Sequence, residues 1–311
     1  MHQKSWRISP LAADVVLLSV AAIWGGTFVA VKNAIAVIPP YAFLAIRFFI
    51  AALFLAVFTA GRWSRMTRAT GRDGFLLGGC LFGGYALQTI GLQYTTSSNA
   101  GFITGLSVVM VPLITWVILK ERPRSGVLAG VALSIAGLGF LTLTDTLQIN
   151  PGDLLVLGCS VCFGLHIYLA GQVTRRHDPI LLTVSQLVVV AIACSVFSSV
   201  WEPPLAAGNF QYDVWLALAL TAIPATSLAF LAQMHLQKYT TATRTALIFA
   251  TEPVFSLIFA IILAGEMLTI RGGIGCFLVL AGIVTAELVG SQEEKAEPAE
   301  REALFEGEQG L

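Results

Sequence analysis

What this sequence has least of is charge. Only 12% of its residues are Asp, Glu, Lys or Arg, where soluble domains carry about a quarter. With 56% hydrophobic residues and a mean hydropathy of +0.81, the chain has too little polar surface for a soluble globular protein. The formal net charge is zero, so no nucleic-acid partner is expected. Cysteine is sparse, and the five present (Cys80, Cys159, Cys162, Cys194 and Cys276) all fall inside apolar segments. Cys159 and Cys162 have the spacing of redox and zinc motifs, but no second pair or His cluster accompanies them, so they read as small packing residues. Three signatures are missing: the Gly-x-x-x-x-Gly-Lys-Ser/Thr phosphate loop, the His-Glu-x-x-His zinc motif and the Gly-x-Ser-x-Gly nucleophile elbow. Their absence argues against ATP-driven pumping and against the corresponding hydrolases, and no cofactor is expected. A cleavable leader is not expected either, because the first apolar stretch, after Lys4 and Arg7, runs too long and lacks a small-residue cleavage site.

What the sequence does have is apolar runs of membrane-spanning length. Ten are expected: 12–35, 41–60, 74–93, 98–119, 125–144, 153–171, 180–200, 214–236, 243–264 and 271–290. Each is near the length needed to cross about 30 Å of hydrocarbon at roughly 1.5 Å per residue. Connections are short throughout, leaving no soluble domain for separate chemistry. Orientation follows from Lys and Arg counted by loop. Fifteen fall on one side: Lys4, Arg7, Arg62, Arg65, Arg68, Arg72, Lys120, Arg122, Arg124, Arg175, Arg176, Lys238, Arg244, Lys295 and Arg301. Only Lys32 and Arg271 fall on the other. The expectation is ten crossings with both termini cytoplasmic.

The chain also repeats itself. Moved forward by 145 residues, Tyr94-Thr95-Thr96 falls on Tyr239-Thr240-Thr241, Glu121 on Glu266, Gly130 on Gly275, and Ala136-Gly137 on Ala281-Gly282. Further upstream the offset is 139: Ile23-Trp24-Gly25 falls on Cys162-Phe163-Gly164, and Pro40 on Pro179. The longer connection from Trp201 to Asp213 absorbs the difference. A fixed internal period is the signature of a repeated architecture. The expected units are residues 11–145 and 152–290, followed by residues 291–311, an acidic tail with seven Glu and the composition of a disordered segment. Five spans per unit is an odd number, so the second unit would sit inverted in the bilayer. That plan recurs in secondary transporters, with the substrate site near the midplane between repeats. The fold class expected is therefore an all-α integral membrane protein of ten helices in two inverted five-helix repeats. Gly79-x-x-x-Gly83 and Gly126-x-x-x-Gly130 are expected to bring helices into close contact.

Trp24-Gly25-Gly26 followed by Phe28, Arg47-Phe48, the closing Glu121-Arg122-Pro123, Glu252-Pro253 and Gly265-Glu266 resemble the EamA repeat of the drug/metabolite transporter superfamily. The resemblance covers about residues 15–290. It implies a ten-helix inner-membrane carrier, often an exporter of amino acids, other metabolites or toxic compounds. One departure is that the first half has Val108 where the second has Pro253, with its own Pro112 a turn later, so the halves need not bend alike.

Ionisable side chains inside spans are costly, which makes them functional candidates. Glu252 stands near the middle of span nine beside Pro253, whose missing N–H loosens the turn before it. It is either a group for substrate or proton, or a structural carboxylate held by Arg47 or by helix hydroxyls. Arg47 could bind a substrate carboxylate, pair with Glu252, or snorkel to the outer surface. His166 is either a titrating group or a hydrogen-bonded packing residue. Thr245, Phe249, Glu252, Ser256 and Phe259 form one stripe on span nine, and Tyr85 and Gln88 share a face of span three. Gln88 matches Gln233, and Gln186 stands where span two has Arg47. Trp24, Trp116, Phe102 and Tyr168 are aromatics away from the interfaces, available to stack on a flat or cationic ligand or simply to pack. The candidate substrate-binding set is thus Trp24, Arg47, Tyr85, Gln88, His166, Tyr168, Gln186 and Glu252. The expected partners are a small-molecule substrate, the lipid bilayer and protons as a candidate coupling ion. A secondary carrier is the reading these residues favour; the rival is a membrane-embedded enzyme using Glu252 and His166 as acid and base on a lipophilic substrate.

Overall fold

The computed structural model describes residues 10–285 except 60, 121–124, 143–149, 175, 207, 209 and 237–247. All regular structure among the described residues is helical: α1 (Pro10–Ile35), α2 (Pro40–Val57), α3 (Arg68–Gly91), α4 (Ser97–Gly105), α5 (Ser107–Leu119), α6 (Ser125–Thr142), α7 (Pro151–Val173), α8 (Pro179–Trp201), α9 (Tyr212–Ala222), α10 (Ala229–Leu236), α11 (Glu252–Ala264) and α12 (Ile270–Thr285). Seven continuous helical stretches are long and apolar enough to cross a membrane, counting α4–α5 and α9–α10 as one each. The apolar parts of α6, α11 and α12 are shorter. Glu121, Arg122, Pro123, Tyr239 to Thr241, Thr245 and the acidic tail lie outside the described residues.

Local chemistry sets the helix starts. Pro40, Pro151 and Pro179 occupy first-turn positions, where a missing N–H costs nothing. Asn150 and Asp178 cap by accepting from Gly152 N and Ile180 N, and Thr96 accepts from Asn99 N. Thr67 does the same for Thr70 N, so α3 begins at Arg68, six residues before the apolar run expected from 74. Two carboxylates cap across the bundle. Glu202 accepts from the N–H groups of Tyr41 and Ala42 at 2.7 and 2.8 Å, and Glu266 from Ser97 N at 2.7 Å and Ser98 N at 3.2 Å.

The polar contacts sort into two ends. At one, Lys32 donates to Thr95 O, Asn150 to Tyr94 O, and the Glu202 and Glu266 caps form. At the other, Arg62 pairs with Asp178 at 3.1 Å, and Asp73 holds both Arg72 (2.9 Å) and His177 (2.8 Å). The arginine-rich connection before α3 and the connection before α8 therefore share an end, as the loop charges predict.

Glycines let helices touch in matched pairs. A Cβ at Gly25 would stand 2.6 Å from Phe255 Cβ and 3.0 Å from Glu252 O; one at Gly164 would stand 2.8 Å from Met110 Cβ and 3.1 Å from Ser107 O. Gly25 and Gly164 are 139 residues apart, and Phe255 and Glu252 follow Met110 and Ser107 by 145. The α6–α12 contact behaves likewise. A Cβ at Gly137 would meet Val279 N and Gly275 O, while one at Gly282 would meet Ser134 N and Gly130 O, the positions that correspond. The Gly79-x-x-x-Gly83 expectation is met at one residue only: a Cβ at Gly83 would stand 3.1 Å from Cys162 Sγ on α7, whereas one at Gly79 meets nothing within 4 Å, and the tightest contacts of α3 run through Gly74, Gly78, Gly84 and Gly91. Gly74 and Gly78, four residues apart, face α8, while Gly84 and Gly91, seven apart, form a second stripe that faces α7.

The helix breaks correspond too. α4 gives way to α5 at Leu106, and a turn at Ala250 and Thr251 precedes α11, at positions 145 residues apart. The two halves interrupt at the same place although their prolines differ. α5 and α11 then end in the left-handed region at corresponding residues, Lys120 (φ 60°) and Gly265 (φ 63°). A side chain there costs roughly 1–2 kcal/mol, offset by about 0.4–1 kcal/mol of extra unfolded-chain entropy for glycine. Lys120→Gly is therefore expected to stabilise the protein slightly, read as a small rise in Tm of the detergent-solubilised chain.

Candidate functional site

Where the interrupted helices meet the middles of α1, α2, α3 and α7, they enclose a cavity of ≈ 70 Å³. Its walls are Trp24, Thr27, Phe28, Arg47, Leu81, Tyr85, Gln88, Thr104, Gly105, Ser107, Val108, Phe163, His166, Ile167, Phe230, Gln233, Phe249 and Glu252. Most of these come in corresponding pairs, one from each half: Trp24 with Phe163, Thr27 with His166, Phe28 with Ile167, Tyr85 with Phe230, Gln88 with Gln233, Thr104 with Phe249, and Ser107 with Glu252. The lining positions correspond, and the chemistry on them does not. The ionisable groups Arg47, His166 and Glu252 stand opposite Gln186, Thr27 and Ser107.

Arg47 is 2% exposed. Its Nε donates to Thr226 Oγ1 at 2.9 Å, and its guanidinium lies 4.8 Å from the Tyr85 ring centroid and 5.5 Å from that of Phe48. Ring faces and a hydroxyl replace part of the hydration a buried cation loses. It does not snorkel to the surface, and no ion pair joins it to Glu252 among the described residues. Glu252 is half-buried at the start of α11, where Pro253 interrupts the helix. Its carboxylate faces the cavity with no hydrogen-bond partner among the described residues. The cavity thus holds one cation and one carboxylate that do not neutralise each other.

Amides and aromatics complete the wall. Gln88 donates to Thr104 Oγ1 at 3.1 Å, whereas the buried Oε1 of Gln233 has no partner among the described residues. His166 shares a 2.8 Å hydrogen bond with Gln186; with Oε1 accepting, Nε2 carries the proton. Trp24 packs against Phe230 and Phe249, with centroids 5.7 and 5.1 Å away, and donates its indole N–H to Ala225 O at 2.8 Å.

Six of the eight candidates therefore line one cavity: Trp24, Arg47, Tyr85, Gln88, His166 and Glu252. Gln186 stands directly behind, holding His166. Tyr168 does not line it, because two residues along an α-helix turn the side chain by about 200°, away from the face His166 occupies. Phe102 is buried in the core and Trp116 is 40% exposed. The stripe on span nine divides: Phe249 and Glu252 face the cavity, while Ser256 bonds Ser97 O and Phe259 packs on Gly26. Gln233 and Phe163, which the offsets tie to Gln88 and Trp24, could have been added from the sequence; Thr27 and Phe230 carried no separate signal. Cys159 is buried near Thr104, and no group of three His, Cys, Asp or Glu side chains able to hold a metal occurs among the described residues.

The chain matches the EamA-like transporter family over residues 11–143 and again over 150–287. It belongs to that family. An uncharacterized transporter of Archaeoglobus fulgidus is 37% identical over 285 residues, spanning 90% of this chain and 87% of the relative. The uncharacterized transporter YyaM of Bacillus subtilis is 28% identical over 282 residues, spanning 88% and 92%. A solved crystal structure superposes with a TM-score of 0.67 over 92% of this chain and 100% of its own, at 19% identity, a likeness of fold. The family makes this chain a multi-pass membrane transporter of a small molecule rather than an enzyme, which sets aside the acid–base reading of Glu252 and His166.

Proposed function

We propose that this family member is a secondary carrier of the inner membrane that exports amino acids or other small amphipathic metabolites by alternating access, with protons as the candidate coupling ion. It crosses the bilayer ten times, with α6, α11 and α12 completing the set, and places both termini in the cytoplasm. Residues 11–145 and 152–290 are its two inverted repeats. The observation that carries the reading is the cavity lined by corresponding positions of the two halves, with Arg47 and Glu252 facing it unpaired. A metabolite with a carboxylate and an ammonium group would meet Arg47 through the first, and Glu252 with Gln233 Oε1 through the second. Aromatic walls suit an apolar side chain between them. A volume of ≈ 70 Å³ is far below the roughly 300 Å³ of ordinary ligand pockets, so loading requires the helices to part. The corresponding breaks at Leu106 and Thr251 and the corresponding glycine contacts support a rocking of two like halves.

The test is transport in proteoliposomes of purified full-length protein, with a labelled panel of amino acids, organic acids and their carboxamides, with and without a pH gradient. Saturable flux of a carboxylate-bearing compound above its carboxamide, accelerated by an opposing proton gradient, is the expected result. A panel in which nothing exceeds protein-free liposomes would overturn the substrate class, and flux indifferent to the gradient would remove the proton coupling.

A further inference from the structure

Between α9 and α10 the chain winds into a π-helical turn, Ile223–Leu228. Three of its residues each hold a helix that carries part of the cavity wall. Ala225 O accepts the indole N–H of Trp24 at 2.8 Å. Thr226 Oγ1 accepts Nε–H of Arg47 at 2.9 Å. Ser227 Oγ lies 3.0 Å from Ala51 O, one turn along α2 from Arg47. The turn also satisfies itself, since Thr226 Oγ1 is 2.8 Å from Thr221 O and Ser227 Oγ 2.9 Å from Ala222 O, each five residues back. Pro224 accounts for the irregularity, because it brings no N–H to an α-helical ladder.

The other half supplies the comparison. Positions corresponding to Pro224, Ala225, Thr226 and Ser227 are Gly79, Cys80, Leu81 and Phe82, and α3 runs through them as an unbroken α-helix. The residues corresponding to Trp24 and Arg47 are Phe163 and Gln186, one without an N–H and the other without a charge. The π turn and its hydroxyl in the second half therefore go with the arginine of the first, and at the exchanged positions, Leu81 of the first half and Gln186 of the second, turn, hydroxyl and charge are all missing. Bundle packing alone does not need the turn, since α3 fills the same role without it.

We infer that Thr226 is a positioning residue that sets the Arg47 guanidinium toward the cavity, and through it the preference for a substrate's carboxylate; the inference rests on the proposed role of Arg47. A hydroxyl has one proton, and that of Thr226 is committed to Thr221 O, which turns a lone pair toward Arg47. Arg47 uses only Nε–H on the threonine. The fork's four remaining N–H donors are left to Tyr85 and to whatever enters the cavity, in the geometry that binds a carboxylate through two parallel bonds. Without the hydroxyl the guanidinium keeps its charge and its ring faces but loses the bond that fixes its plane.

Thr226→Val keeps the shape and removes the hydroxyl, and Thr226→Ser restores it. In proteoliposomes, with the best-carried carboxylate compound of the panel and its carboxamide as probes, Thr226→Val is expected to raise KM for the carboxylate about tenfold, leave KM for the carboxamide within twofold, and be rescued by Thr226→Ser. Unchanged carboxylate KM in Thr226→Val overturns this inference and leaves the site reading intact. Equal losses for both probes, in protein with wild-type Tm, assign Thr226 to packing and overturn it as well. If wild-type protein carries the carboxamide as well as the carboxylate, the role proposed for Arg47 fails, and the inference fails with it.

Discussion

Glu252→Gln is expected to lower kcat/KM for the carried metabolite on the order of a hundredfold, which corresponds to about 2.7 kcal/mol, and to flatten its dependence on an imposed pH gradient. The substitution keeps length and shape and removes both the charge and the ionisable proton. Truncating one member of a buried charge contact typically costs about 2–5 kcal/mol, and among the described residues no neighbour bonds this carboxylate in the ligand's place. The corresponding residue of the first half, Ser107, also lines the cavity but carries no charge, so the other half offers no substitute. Two roles can be told apart. If Glu252 only anchors a cationic group, Glu252→Gln raises KM while the residual flux still responds to the gradient. If it also carries the proton, exchange of a preloaded substrate survives in the variant while gradient-driven accumulation is lost. Wild-type flux together with a wild-type pH response would show that Glu252 does neither.

The sequence resolves this molecule to the level of helices and not to the level of helix faces. Hydropathy locates the long stretches to within a few residues, the start of α3 apart, because crossing hydrocarbon demands length and apolarity whatever a helix touches. The offsets of 139 and 145 do more, since they tie Gly25 to Gly164 and Gln88 to Gln233 before any coordinates exist. What they do not contain is rotation. In an apolar helix the lipid-facing, packed and cavity-facing stripes share one composition, so only a rare polar residue marks the inward side. Arg47, Glu252, Gln88 and His166 carry such marks and meet at one cavity. Tyr168 looked as eligible as Tyr85, and the two separate only once the helix phase is known. In sequence Thr226 and Ser227 are small polar residues of an apolar span like many others, and Pro224 just before them is the one local sign of a distorted turn. The glycines misled in the same way: the span-three pair chosen by spacing includes Gly79, which faces open space.

Gly25→Val and Gly164→Val are each expected to prevent recovery of a monodisperse protein in mild detergent, while Gly79→Ala is expected to be recovered like the wild type. The atoms that a Cβ at Gly25 would meet include Ser256 N at 2.7 Å and Glu252 O at 3.0 Å, which are backbone and cannot rotate aside. At Gly164 the contacts are Met110 Cβ at 2.8 Å and Ser107 O at 3.1 Å. Overpacking of this kind costs about 1–3 kcal/mol even where side chains can adjust, and helix association in lipid depends on such close approach because no hydrophobic force draws apolar helices together. The paired design matters, since like halves predict that the two substitutions fail alike, although one joins α1 to α11 and the other α7 to α5. Recovery of one at wild-type yield and Tm would show that the halves are not equivalent at these corresponding contacts. A milder change connects packing to transport. In Gly25→Ala the new Cβ would stand 2.6 Å from Phe255 Cβ and 2.7 Å from Ser256 N, so α11 must move away by more than a few tenths of an ångström, and the carbonyl next in contact, at 3.0 Å, belongs to Glu252. Flux in that variant is therefore expected to fall further than its Tm does, whereas Gly164→Ala, pressing on Ser107, should lower Tm by a similar amount with a smaller loss of flux.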